Sequence, residues 1–200
     1  ASHQAITDLA FVRAIPNMTV ITVADAVETK KAVFAIAEHQ GPVYLRLSRA
    51  AAPVFYPEDM KFEIGRGIKV REGGDVTIIT TGTVLHKALA AAELLEAKGI
   101  QARVVDMHTI KPIDEELIIE CARETGAIVT VEEHSVCGGL GSAVAEVLAE
   151  HMPVPMTRIG ATDFAESGDY EQLLVKYGYG PESIAEKCEK VMKRKQVQKK

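Results

Sequence analysis

The chain has 200 residues, 47% of them hydrophobic, enough to bury a sizeable core as one large or two small domains. Its formal net charge of −5 argues against a nucleic-acid or anionic-membrane surface as its main business. Three cysteines, Cys121, Cys137 and Cys188, stand singly, with no disulfide framework and no C-x-x-C pair, and there is neither a signal peptide nor a bilayer-length apolar run. The expectation is a soluble, cytoplasmic protein. The chain opens with Ala1 and no initiator Met, which suggests a processed or trimmed product.

In chain order, a helix is followed by the strand-like run MTVITV. Asp25 and Glu28 then make an N-terminal capping box for a helix DAVETKKAVFAIAEH, and PVYLRLS is a second strand, completing a β-α-β unit. From Ala50 to Asp75 the periodicity breaks, with prolines and glycines, and 51–75 reads as a linker between domains. A second series follows: the strand VTIITTG, a helix Val84–Lys98, the strand ARVVDM, a helix from Asp114, the strand AIVTVEE, a glycine turn with its helix, and the strand VPMTRIG. Two short helices around Gln172 and Ile184 end it, and KVMKRKQVQKK reads as a solvated helix end with a frayed tail. The fold class is therefore α/β: a parallel β-α-β half-domain over 1–50, then a small doubly wound domain over 76–200. The first part has too few strands to close a core alone, so something else is expected to complete it.

The stretch EEHSVCGGLGSAVAEVLAE tests for a phosphate-gripping loop. Gly139 and Gly141 fit the first two positions of G-x-G-x-x-G/A, but Val144 stands third and no Gly-Lys-Ser/Thr follows, so Gly138–Gly141 reads as a structural turn. Glu132, Glu133 and His134 lie at a strand's carboxyl end and are read as lining a domain or subunit interface. Cys137 is read as a small buried turn residue rather than a reactive thiol.

Several motifs in order carry a family resemblance over essentially the whole chain. ASHQAITDLAFVRAIPNMTVITVADAVET followed by GPVYLRLSR resembles the later half of the pyrimidine-binding domain of transketolases, where a G-[PA]-[ST]-H-Q motif leads a helix. VVDMHTIKPID, VEEHSVCGGLGSAVAEVL and FAESGDYEQLLVKYGYGPESI are similar to the transketolase C-terminal domain, above all to the C-terminal subunit of split transketolases. The resemblance implies transfer of a two-carbon ketol unit between sugar phosphates with thiamine diphosphate and Mg2+, the cofactor supplying the hard chemistry. It matches His3 to a catalytic histidine beside the cofactor and the reacting carbons, a role suited to a group that titrates near neutrality. It matches Arg49, in L-S-R at a strand end, to a contact with the substrate phosphate, where a guanidinium fork makes two charge-assisted bonds. A surface histidine and a solvated arginine are the plainer alternatives. Arg46, in the same strand, reads as structural.

The resemblance also places the pyrimidine-activating glutamate, an aromatic platform, and the metal and diphosphate site outside these residues. No cofactor or metal is expected on this chain alone. The partners it implies are an N-terminal transketolase part or subunit and a homodimer of the complete enzyme. The competing readings are a 1-deoxyxylulose 5-phosphate synthase, a 2-oxoacid dehydrogenase beta subunit, or a purely structural dimerisation module. GPVYLRLSR favours the transketolase.

Overall fold

Asp25 starts the first long helix as its spacing predicts. In the computed structural model, which describes residues 5–198, the Asp25 carboxylate accepts the Glu28 N–H at 2.8 Å. The return bond of the capping box is displaced by one residue: Glu28 accepts from the Ala24 N–H at 2.6 Å. The first segment comprises α1 (Asp8–Ala14), β1 (Thr19–Thr22), α2 (Ala26–Glu38) and β2 (Val43–Arg46), with β1 and β2 parallel in register Thr19 to Val43.

The second series comprises β3 (Ile68–Arg71), β4 (Val76–Thr80), α3 (Leu85–Glu96), β5 (Ala102–Asp106), β6 (Thr109–Lys111), α4 (Glu115–Thr125), β7 (Ile128–Ser135), α5 (Leu140–His151), β8 (Met156–Ala161), α6 (Tyr170–Lys176) and α7 (Pro181–Gln198). One 3-10 turn, Gly82–Val84, leads into α3. A five-stranded sheet runs β3-β5-β4-β7-β8, with β5, β4, β7 and β8 parallel. Alternate side chains feed opposite faces, as the period of two demands. Ile78, Val104 and Val129 pack with α3 and α7, whereas Ile79, Val105 and Ile128 pack with α4 and α5.

Three expectations are corrected. The stretch 51–75 is not all linker, because it supplies β3, an antiparallel edge strand paired with β5. The first sheet is not purely parallel, because an unexpected short strand of the second series, β6, crosses to it and pairs antiparallel with β1, giving the order β2-β1-β6. The helix around Ile184 is not short but continues through the basic stretch to Gln198, its inner side buried at Ile184, Cys188 and Val191 against the core.

The β1 edge left open in the sequence reading is thus covered from within the chain. Val20 of β1 and Leu9 and Val12 of α1 belong to the same apolar cluster as Ile79 and Leu140, so the core is continuous from one sheet to the other. Phe11, Val33 and Phe34 of the first segment remain exposed.

Candidate functional site

Parallel sheets gather ligands where successive connections leave in opposite directions, outside the carboxyl ends of the strands. Here that point lies between β4 and β7, since the chain passes from β4 to β5 on one side and from β7 to β8 on the other. A cleft of about 660 Å3 opens there, lined by Thr81–Thr83 after β4, Glu133 of β7, Asp163 after β8 and Tyr170 of α6. The opposite wall comes from the end of β2, with Arg46, Ser48 and Arg49.

The two arginines of that wall are employed differently. Arg46 is engaged through two of its three nitrogens: Nε bonds Asp8 Oδ2 at 2.8 Å, and Nη2 bonds the Ala5 carbonyl at 2.8 Å and the Glu133 carbonyl at 3.0 Å. Tyr44 donates to the same Asp8 oxygen at 2.8 Å, and burial followed by the Asp8 bond pushes the phenol up from its ordinary value. Arg46 therefore joins β2, the start of α1 and β7, the structural part read for it in the sequence. Arg49 lies beyond the strand in a bend, exposed, and no hydrogen bond or ion pair holds its side chain among the described residues. His3 lies outside the described residues.

Glu133 accepts from the hydroxyls of Thr83 and Tyr170, both at 2.9 Å. This ties β7 to α6 across the cleft, and the Tyr170 phenol is pushed up by burial and then by the Glu133 charge. Neighbouring His134 is fully buried and held below its ordinary pKa by that burial. Its Nδ1 faces the Ser135 carbonyl at 2.8 Å and its Nε2 faces the Ala10 N–H at 3.4 Å, so the network assigns a neutral ring with the proton on Nδ1. The Ser135 N–H donates to the Ile6 carbonyl at 2.8 Å. The segment Glu132–His134 thus sits where the first segment meets the second sheet.

The glycine turn grips an anion, but one of the chain's own. Glu132 accepts the N–H groups of Leu140 at 2.7 Å and Gly141 at 2.8 Å, at the N-terminus of α5. Burial pushes its carboxyl up to about 7 against the pull of these donors and of the Arg46 and Arg158 charges. A Cβ on Gly139 would lie 2.0 Å from Glu132 Oε2, and one on Gly138, whose φ is +81°, would lie 2.5 Å from the Ala10 Cβ. Arg13 of α1 donates to the carbonyls of Gly138 and Gly139 at 2.9 and 3.1 Å. The glycines therefore admit α1 and a carboxylate. Cys137 is exposed, a correction to its reading as buried: the inner contacts of the turn are made by Gly138 and Gly139.

Among the described residues no cluster of three His, Cys, Asp or Glu side chains could hold a metal ion. No described helix is long and apolar enough to cross a membrane.

Two family models match: the transketolase pyrimidine binding domain over residues 1–54 and the transketolase C-terminal domain over residues 65–184. A putative transketolase C-terminal section from Methanocaldococcus jannaschii is 46% identical over 97% of this chain and 62% of its own length. An apulose-4-phosphate transketolase subunit from Phocaeicola vulgatus is 42% identical over 92% of this chain and 59% of its own. A solved split-gene transketolase, an inactive beta4 tetramer, superposes with a TM-score of 0.93 at 51% identity, over 96% of this chain and 63% of that one. The chain spans about three-fifths of the length of the curated relatives named here. On two family models in the right order and a shared fold, the chain belongs to the transketolase family.

Proposed function

We propose that this chain is the C-terminal component of a transketolase-type transferase, moving a two-carbon ketol unit between sugar phosphates with thiamine diphosphate and Mg2+. In this reading Arg49 holds the substrate phosphate and His3 acts beside the reacting carbons. The observation that carries it is the contrast between the end of β2 and the bend after it: Arg46 bonds the protein through Nε and Nη2, whereas Arg49 presents its donors, with Ser48, at the rim of the cleft. A free guanidinium at a strand's carboxyl end suits a phosphate. The phosphorylated sugar in the name of the Phocaeicola vulgatus relative supports the same substrate class.

The other half of the site belongs to a partner. The pyrimidine-activating glutamate, the aromatic platform and the metal site are assigned to an N-terminal transketolase part, and the complete enzyme to a cytoplasmic homodimer. The isolated chain is inactive and self-associates in this reading, in line with the inactive beta4 tetramer of the solved split-gene transketolase.

The test is reconstitution with an N-terminal transketolase part, followed by ketol-transfer kinetics. Arg49→Ala should raise KM for phosphorylated sugars by the equivalent of about 1.5–3 kcal/mol and leave unphosphorylated donors little changed. His3→Ala should lower kcat for both donor classes. An Arg49→Ala enzyme with unchanged KM for phosphorylated sugars removes the phosphate role.

A further inference from the structure

A second group of acidic residues lies away from the cleft, where the first segment, the connecting stretch and the second sheet meet. Glu28 of α2 and Asp106 at the end of β5 are both completely buried. Their carboxyls are in hydrogen-bonding contact with each other. Asp106 Oδ2 accepts from the Tyr56 hydroxyl at 2.8 Å, and Glu28 Oε2 accepts from the Ala24 N–H at 2.6 Å. The remaining oxygens, Glu28 Oε1 and Asp106 Oδ1, have no donor.

The surroundings supply no positive charge to offset two carboxylates. From the N-cap of α2, Asp25 faces the pair and is itself committed to the N–H groups of Glu28, Phe55 and Tyr56 at 2.7–2.8 Å. From the connecting stretch comes the Tyr56 hydroxyl. Beyond β5, His108 stacks on Phe62 at 4.1 Å and bonds Thr109, and burial lowers it to about 4, so it is neutral. No lysine or arginine bonds either carboxyl among the described residues. Two buried carboxylates in contact cannot both be ionised, whereas one proton between them converts the two orphan oxygens into a donor and an acceptor.

We propose that Glu28 and Asp106 share one proton, and that this carboxyl–carboxylate pair is an alkali-sensitive latch fastening α2 and the Tyr56 segment to the second sheet. Burial, then the neighbouring acid, raises Glu28 above its ordinary 4.5, and burial raises Asp106. The folded chain keeps a proton that the unfolded chain releases. The stability it brings is fully present below the ordinary carboxyl range and is lost as pH rises through the raised folded value. When the proton leaves to solvent, two like charges face each other across the junction.

The latch is independent of the transferase reading and is tested on the full chain. Between about pH 7.5 and 9 the folding constant, from urea titrations, should fall about tenfold per pH unit more steeply in the native chain than in Glu28→Gln, whose amide donates to Asp106 without titrating. At the upper pH, amides of α2 and of residues 54–56 should exchange faster in the native chain than in the variant. Equal pH slopes in the two proteins would overturn the proposal. Asp106→Asn is the alternative variant should Glu28→Gln fail to fold. Carboxyl infrared spectroscopy of the native chain gives a readout that needs no variant: a protonated side-chain carboxyl band persists at about pH 8.5 if a proton is shared, and its absence would refute the latch.

Discussion

Glu132 occupies the place at the start of α5 where a bound anion would sit in a phosphate-gripping loop. The helix N-terminus offers two N–H groups, and the side chain that takes them comes from the strand just before. Gly139 is small because that carboxylate passes over it. Gly139→Ala should therefore destabilise the chain by roughly 1–3 kcal/mol in urea unfolding, since either the Glu132 bonds or the turn must move. Gly74→Ala is the contrasting substitution, because a Cβ there meets nothing within 4 Å, and a near-neutral or slightly stabilising result is expected. Similar losses at both glycines would mean that the turn responds to backbone freedom and not to the space around Glu132.

At the scale of elements, α1 is held by polar contacts as much as by its short apolar face. Arg46 and Tyr44 reach it from β2 through Asp8, and Arg13 reaches from it to the glycine turn. Arg46→Met should cost about 3 kcal/mol, because it leaves the nearly buried Asp8 with only the Tyr44 hydroxyl, and loss of one partner of a buried pair is the costly change. Arg46→Lys should recover only part of this, since one ammonium does not reproduce the guanidinium fork. Full recovery by lysine would reduce the junction to a simple charge contact.

The elements legible in the sequence were those whose signals are local. Asp25 and Asp114 cap α2 and α4 by bonds to residues three places on, so spacing alone finds them. The strands β3 and β6 were hidden because each has only three or four residues and its partner lies far along the chain. Arg46 at the end of β2 and Arg49 in the bend beyond it could be ranked only through a motif, and the structural part of Arg46 became concrete once Asp8 and Glu133 were brought beside it. Nothing in EEH announces that the first acid will cap a helix eight residues later.

For the whole molecule, the first sheet and the second are packed together across a shared interior. The shared apolar cluster, the β1–β6 ladder and the contacts of α1 with β7 all cross between them. Unfolding in urea should give coincident transitions by far-ultraviolet circular dichroism and by tyrosine fluorescence, which samples Tyr44 and Tyr56 near the junction as well as tyrosines of the second part. Two separated transitions would show that the first segment melts by itself, as the sequence reading of a half-built domain implied.

The crossing of β6 has a consequence for dissection of the chain. Cleavage within 51–64 would sever the covalent path between the two parts yet leave both ends of the β1–β6 ladder in place, so the pieces would stay together as a nicked complex. A fragment beginning at about residue 65 has the opposite fate. It keeps its own five-stranded sheet but presents Thr109–Lys111 without β1, an uncovered strand edge seeking any extended peptide that can take the place of Thr19–Thr22. The natural seam of this protein therefore runs through its strands and not through its longest loop.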